Sequence, residues 1–112
     1  MKITNVTKKK SFEAELADDI FSQSRGLSFS KRKRNMLFRF KYPNRPGFWM
    51  FGMVYDIFIA FIDDRGRVFQ QFRADKMTLN PKTWRIYKPK MACKYVLETP
   101  KKIVDVGDKL KF

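Results

Sequence analysis

Residues 48–63 constrain the fold of this chain more than any other part of its sequence. Nearly every residue in this stretch is apolar, and Asp56 is the only charged residue before its end. A membrane helix needs about 18 consecutive apolar residues, whereas Gly52 and Asp56 interrupt this stretch. Residues 57–62 are apolar at every position, which is typical of a strand covered on both faces. The stretch therefore predicts the core of a sheet.

Further strands are predicted wherever apolar and polar residues alternate, or where a short apolar run is bounded by turn residues. Residues 63–66, Asp-Asp-Arg-Gly, predict a hairpin connection that folds the next strand back against the buried one. The predicted strands lie at residues 2–6, on a sheet edge, and at 12–16, 36–41, 67–72, 84–87, 93–98 and 110–112.

A short helix is predicted after residue 17. Asp18 or Asp19 can cap its first turn by accepting a backbone hydrogen bond, and Gly26 gives it a favourable end. We therefore predict a mainly β fold with small α content, a compact antiparallel β-barrel or sandwich with one short helix near the N-terminal third. A length of 112 residues suits a single domain over residues 1–112, since such a chain buries roughly 65% of its extended surface.

The surface of the folded chain must be strongly electropositive. The chain has 25 Lys and Arg against 11 Asp and Glu, which gives a formal charge of +14. Ion-pair networks like those of thermophilic proteins would explain many charges, but they would not explain such an imbalance. With so few acids, many of the bases cannot be paired, and this favours a polyanionic partner.

The predicted contact surface centres on a basic loop, because residues 31–34 are the densest charge run of the chain. The outward positions of the strand that follows add two more bases, and the next turn adds another. The residues predicted to bind a polyanion are Lys31, Arg32, Lys33, Arg34, Arg39, Lys41 and Arg45. Our leading hypothesis is a non-enzymatic binding module for a polyanion such as RNA or single-stranded DNA.

The sequence contains no constellation that points to catalysis. Histidine is absent, and Cys93 is the only cysteine, so a disulfide within the chain and a four-cysteine zinc site are excluded. Cys93 is flanked by apolar residues and is interpreted as a small core residue. No phosphate-binding glycine loop or metal-ligand spacing occurs, so we predict no metal and no cofactor, and favour a binding module over an enzyme.

The alternative hypothesis is a small-ligand or accessory domain. Methionine and aromatic residues cluster around Trp49, and Gly52 interrupts the run as a bulge or a close approach would. A pocket at Trp49, Gly52 and Asp56 is predicted under this hypothesis, with Asp56 as its polar group. The competing interpretation is that these aromatic and methionine residues only pack the core.

The start of the chain gives an expectation about location. Residues 1–6 are too polar, and their apolar part is too short, for the hydrophobic region of a secretory signal. We therefore expect a cytoplasmic protein without a membrane span. The oligomeric state is left open.

A series of short motifs resembles the uncharacterised family known as domain of unknown function 192. The resemblance covers about residues 12–112, and its most specific part is Phe-Trp-Met followed by Phe-Ile-Asp. It implies a compact, mostly β, single-domain protein with no established activity. The motifs are Ala17, Arg25-Gly26-Leu27, residues 36–40, Phe48-Trp49-Met50, Phe61-Ile62-Asp63, Gly66, residues 95–98 and Gly107-Asp108.

The chain also departs from the family pattern. Relatives commonly carry a polar pair such as Asn-Thr after Phe-Trp-Met, where this chain has Gly52-Met53. They also carry a Pro-Leu-Asp run before the buried strand, and the resemblance places Phe58 at the position of that aspartate. Asp56 precedes it by two residues, so a strand would put both side chains on one face about 7 Å apart.

Overall fold

A computed structural model describes residues 1–17, 33–50, 53, 55–76 and 78–112. These residues are 52% strand and 3% helical, which confirms the mainly β class. The helix predicted after residue 17 falls outside them. Within the described ranges the helical segment is a single 3₁₀ turn, Pro81–Thr83, whose first backbone N–H groups are capped by Asn80.

The described strands form three sheets. A five-stranded sheet has the order β3-β4-β9-β6-β7, a three-stranded sheet has the order β10-β1-β2, and β5 pairs with β8 in a two-stranded ribbon. The strands are β1, Lys2–Asn5; β2, Lys10–Glu13; β3, Glu15–Ala17; β4, Met36–Asn44; β5, Phe48–Trp49; β6, Ile57–Ile62; β7, Val68–Ala74; β8, Ile86–Tyr87; β9, Cys93–Thr99; and β10, Leu110–Lys111.

The sheets are open, so the closed barrel offered as one alternative is wrong for the described part of the chain. Strand pairing is also not purely antiparallel, because β3 runs parallel to β4. Parallel neighbours need a long crossover, and residues 18–35 supply one between these two strands. The expected edge strand at residues 2–6 is instead β1, which lies between β10 and β2.

Residues 12–16, predicted as one strand, divide between two sheets. Residues 10–13 form β2 and residues 15–17 form β3, with Ala14 between them. The backbone N–H of Ala14 donates to the carbonyl of Met1, while that of Glu15 donates to Asn35 beside β4. The chain therefore changes sheets at one buried alanine.

Strand β6 is buried on both faces, as its sequence predicts. Alternate residues of β6 belong to two apolar clusters, one on each side of the five-stranded sheet. One cluster includes Met50, Met53 and Tyr87, from the segments around the β5–β8 ribbon. The other includes Ile3 and Leu110 from the three-stranded sheet. Full burial of such side chains contributes about 1.5–3 kcal/mol each, so the core forms on both faces of β6.

The hairpin between β6 and β7 is confirmed at residues 63–66. The carboxylate of Asp63 accepts the backbone N–H groups of Arg65 and Arg67, each at 2.9 Å. Gly66 has φ +86° and lies so close to β10 that an added Cβ would stand 2.4 Å from the carbonyl oxygen of Leu110. The turn therefore needs glycine at this position for two reasons: other residues rarely adopt this φ, and a side chain would clash with Leu110.

The turn before β10 is tied to the first turn of the chain. The Asn5 amide donates to the carboxylate of buried Asp108 at 2.8 Å, and the Lys8 ammonium pairs with Asp108 and Asp105. Burial opposes ionisation of Asp108, but the hydrogen bonds from Lys8, Asn5 and the Asp105 backbone outweigh it and lower its pKa. These contacts hold the turn after β1 against the turn before β10 and so stabilise the three-stranded sheet.

Candidate functional site

Two segments of the chain carry bases without any acid. Residues 33–55 contain five Lys and Arg and no Asp or Glu, and residues 76–97 contain six and none. The fold places these segments side by side, because β4 pairs with β9 and β5 pairs with β8. Positive charge is therefore concentrated where neither segment can neutralise the other.

The end of β4 and the loop before β9 form a continuous basic surface. The Lys94 ammonium donates to the carbonyl of Lys41 at 2.8 Å, and Arg45 Nε donates to the carbonyl of Pro89 at 3.0 Å. These contacts hold the two loops together and leave their bases at the surface. We call this surface the basic rim, and it consists of Lys41, Arg45, Lys88, Lys90 and Lys94.

The β5–β8 ribbon presents an apolar outer face beside the basic rim. Phe48 pairs with Tyr87, and both contact phenylalanine rings of the core. Trp49 pairs with Ile86, and these side chains are 58% and 64% exposed. Trp84, two residues before Ile86, is 57% exposed and donates its indole N–H to the carbonyl of Thr78 at 2.7 Å. We call Trp49, Trp84 and Ile86 the aromatic ribbon.

The residues predicted to bind a polyanion fall into two groups. Lys31 and Arg32 lie outside the described residues. Lys33 and Arg34 precede β4, where Arg34 Nε lies 3.1 Å from a carboxylate oxygen of Glu15. Arg39 lies in the middle of β4 and is exposed. Lys41 and Arg45 lie near the far end of the strand, on the basic rim, so β4 separates them from Lys33.

Sequence reasoning missed part of this surface. Trp84, Ile86 and Lys88 alternate with Arg85 and Tyr87, a period-two pattern that extends beyond the two residues of β8. Tyr87 is buried, and the exposed Arg85 has its guanidinium 4.8 Å from the centroid of the Tyr87 ring. The absence of acids from residues 76–97 was also visible in the sequence. What the sequence did not contain was the pairing that sets this segment against β4 and β5.

The three residues of the predicted pocket do not meet around one described cavity. Trp49 belongs to the aromatic ribbon, and Gly52 lies outside the described residues. Asp56 is exposed and accepts the backbone N–H of Lys76 at 2.7 Å, and its other oxygen lies 3.7 Å from Arg73 Nη2. It lines a cleft of about 460 Å³, and Trp49 is not among the residues that line this cleft.

The acidic residues and the cysteine also have defined places. No three Asp, Glu, Cys or His side chains within the described ranges are grouped as metal ligands. Glu98 is buried at the centre of the five-stranded sheet, and burial raises its pKa to about 8. Cys93 is fully buried, which confirms its place in the core, and burial raises its pKa to about 11. Its thiol is therefore unreactive in the folded chain.

No helix in the described residues is long and apolar enough to span a membrane.

The fold has close counterparts among solved structures. A protein of unknown function from Novosphingobium aromaticivorans superposes with a TM-score of 0.81 at 23% identity, and the match covers 99% of this chain and 82% of that one. A Sinorhizobium meliloti protein superposes with a TM-score of 0.78 at 20% identity, covering 98% of this chain and 91% of that one. At these identities the likeness shows the fold alone.

Sequence comparison gives the family. A UPF0127 protein of Pyrococcus horikoshii is 32% identical over 119 residues, covering 98% of this chain and 97% of its own length. A UPF0127 protein of Pyrococcus abyssi is also 32% identical, with coverage of 98% and 96%. The model of the family DUF192, described as "Uncharacterized ACR", matches residues 2–112. The chain therefore belongs to the uncharacterised DUF192 family, whose relatives carry the name UPF0127.

Proposed function

We propose that this protein is a non-enzymatic binding module for single-stranded nucleic acid, RNA or DNA, which lies across the basic rim and the aromatic ribbon. The observation that carries the proposal is a pair of exposed tryptophans, Trp49 and Trp84, beside an acid-free basic surface. Proteins that bind single strands combine these two features, since bases stack on aromatic side chains while cations follow the phosphates.

The electrostatic part of the proposal rests on Lys and Arg side chains that have no acidic partner. None of the five bases of the basic rim forms a salt bridge with a carboxylate in the described part of the chain. Such cations can neutralise phosphates and release the counterions condensed on nucleic acid, which drives binding at low salt. Arg45 and Lys94 are held by backbone carbonyls, so part of the surface is already positioned.

The aromatic part explains why the partner is single-stranded. Strand pairing fixes the backbone of Trp49, and a hydrogen bond to the carbonyl of Thr78 fixes the Trp84 indole itself. A side chain held like that of Trp84 loses little conformational freedom on binding. Bases in a duplex are stacked on one another and cannot lie on a tryptophan face, whereas unpaired bases can.

Residues 31–34 have a secondary place in the proposal. Lys33 precedes β4, and the basic rim lies at the other end of that strand. A nucleic acid bound only to the basic rim and the aromatic ribbon would not need residues 31–34, whereas a longer nucleic acid would reach Lys33. Neutralising residues 31–34 therefore tests how far the contact surface extends.

The experiment is a salt-titrated anisotropy assay with labelled single-stranded RNA and DNA of about 16 nucleotides, the upper end of common site sizes. Trp49→Ala and Trp84→Ala should each weaken binding by roughly 5- to 100-fold, since one stacked base contributes about 1–3 kcal/mol. Lys88→Gln combined with Lys90→Gln should flatten the dependence of log K on log salt by roughly 0.7 for each lost phosphate contact.

Matched controls separate these effects from general perturbation. Leu79→Ala removes an apolar side chain that is 96% exposed and should leave affinity unchanged. Lys101→Gln removes an exposed base outside the rim and should leave the salt slope unchanged. Millimolar dissociation constants at low salt, or equal affinities for the tryptophan variants and the unaltered protein, would exclude the proposal.

A further inference from the structure

A cleft of about 460 Å³ lies where β6 begins and β7 ends. Its volume is within the range of about 300–1,000 Å³ that is usual for sites of small molecules. No residue of the basic rim or the aromatic ribbon lines it, so it is separate from the surface proposed for nucleic acid. The charged and aromatic side chains that line it are Lys33, Tyr55, Asp56, Phe58, Arg73 and Lys76.

The charges of the cleft do not cancel. Three cations, Lys33, Arg73 and Lys76, and one carboxylate, Asp56, line the cleft. Arg73 also lies 3.9 Å from the carboxylate of Asp75, so its charge is the one that nearby acids neutralise. Asp56 is held in place because it accepts the Lys76 backbone N–H at 2.7 Å and lies 3.7 Å from Arg73. The ammonium groups of Lys33 and Lys76 have no acidic partner among the described residues. The cleft therefore has two cations to offer an anion.

The remaining lining is aromatic. Phe58 is half-buried, and the Tyr55 ring is buried with the Lys33 ammonium 5.9 Å from its centroid. Aromatic faces beside fixed cations accommodate a ligand that has a planar apolar part and an anionic part. Phe58 gives the cleft an apolar wall, where a carboxylate would lower the positive charge.

We propose that this cleft binds a phosphate monoester carrying a planar ring, with a nucleoside monophosphate as the representative ligand. A phosphate monoester carries a charge of about −1.5 to −2 at neutral pH, which matches the two lysines without an acidic partner, Lys33 and Lys76. A monocarboxylate carries only one charge and leaves one of these lysines unmatched. The ring of the ligand lies against Tyr55 and Phe58, and its phosphate contacts Lys33 and Lys76.

The test measures binding of adenosine monophosphate, adenosine and benzoate by isothermal titration calorimetry. Adenosine monophosphate should bind at least tenfold more tightly than either other probe, because a charge-assisted hydrogen bond contributes about 1.5–3 kcal/mol. Lys33→Gln and Lys76→Gln should each weaken its binding by about tenfold or more, on the same grounds. The Lys76 backbone N–H remains in that variant, so Asp56 keeps its hydrogen bond.

Three further variants make the result specific to this cleft. Lys88→Gln removes a charge from the basic rim and should leave the affinity for adenosine monophosphate unchanged. Phe58→Asp should weaken it by about tenfold, whereas Phe58→Leu should have a smaller effect, because only the aspartate lowers the charge of the cleft. Equal affinities for adenosine and adenosine monophosphate would overturn the proposal. So would loss of binding in Trp49→Ala with full binding in Lys33→Gln and Lys76→Gln, which would place the nucleotide on the aromatic ribbon.

Discussion

Glu98 makes the stability of this fold depend on pH in a way that can be measured. Its side chain is 6% exposed, and its strand β9 is paired on both sides, with Met36 and Ile59 as its neighbours across the sheet. Burial raises the pKa of the Glu98 carboxyl from 4.5 to about 8. At neutral pH the group is therefore mostly a protonated acid inside the folded chain.

The sign of the effect follows from which state holds the proton more tightly. The unfolded chain releases this proton near pH 4.5, whereas the folded chain keeps it to about pH 8. Stability from this group is therefore fully present below pH 4.5 and is lost as pH rises through 8. The interval of about 3.5 pH units corresponds to roughly 5 kcal/mol, which is comparable to the whole stability of a small domain.

Glu98→Gln removes the titration and keeps the shape of the side chain. Near pH 4 we expect the variant and the unaltered protein to differ by no more than about 1 kcal/mol, the cost of accommodating a new N–H donor. Near pH 9 we expect the variant to be more stable by several kcal/mol, with roughly 5 kcal/mol as the upper end. The difference should grow steadily between these limits.

Urea unfolding followed by circular dichroism at about four pH values measures this difference directly. Glu13→Gln is the matched control, because its side chain is 77% exposed and the same chemical change should give no comparable trend. If the stability difference between Glu98→Gln and the unaltered protein is constant from pH 4 to pH 9, the reasoning about burial is refuted.

Three other predictions concern the fold. Gly66→Ala should lower the free energy of unfolding by at least 2 kcal/mol more than Gly107→Ala, roughly the cost of a clash. Both glycines have positive φ, but only Gly66 has a backbone atom in the way, and urea midpoints measure the difference. Asp108→Asn should destabilise the protein at pH 7 and progressively less as pH falls below 4, because the native contacts lower the pKa of this carboxyl; unfolding curves at both pH values test this. Cys93 should react with a thiol reagent only at the rate of unfolding, and fast labelling of the native protein would contradict its burial.

Much of the sheet was predictable from the sequence because burial leaves a local pattern. The two-sided run of β6, the alternation in β4 and the turn-bounded apolar run of β9 gave strands in the right places, and residues 63–66 gave the hairpin. Alternation specifies the faces of a strand but not its neighbours. The pattern therefore continued through Ala14, where the chain leaves one sheet and enters another, and it could not reveal that β3 runs parallel to β4.

The candidate surfaces were less predictable, because they depend on contacts between distant segments. The excess of bases was plain from composition, but the approach of Lys41 to Lys94 and of Arg45 to Pro89 was not. Trp49 was grouped with the buried Met50 and Met53 by composition, yet it lies on the outer face of a two-residue strand.

Glu98 was hidden for a similar reason. A glutamate at the end of a short apolar run is expected to face water, and only the central position of β9 removes the water from both sides.

The basic rim also has a cost for the free protein. Five cations held in β4, β9 and the loops beside them without a carboxylate repel one another, so folding stores unfavourable electrostatic energy at this place. Mobile anions reduce such repulsion within a Debye length of about 10 Å at 0.1 M salt. The isolated protein should thus gain stability as salt is added, and a bound polyanion would relieve the same repulsion at far lower concentration. The surface proposed to bind nucleic acid is therefore one where the free protein carries unfavourable electrostatic repulsion.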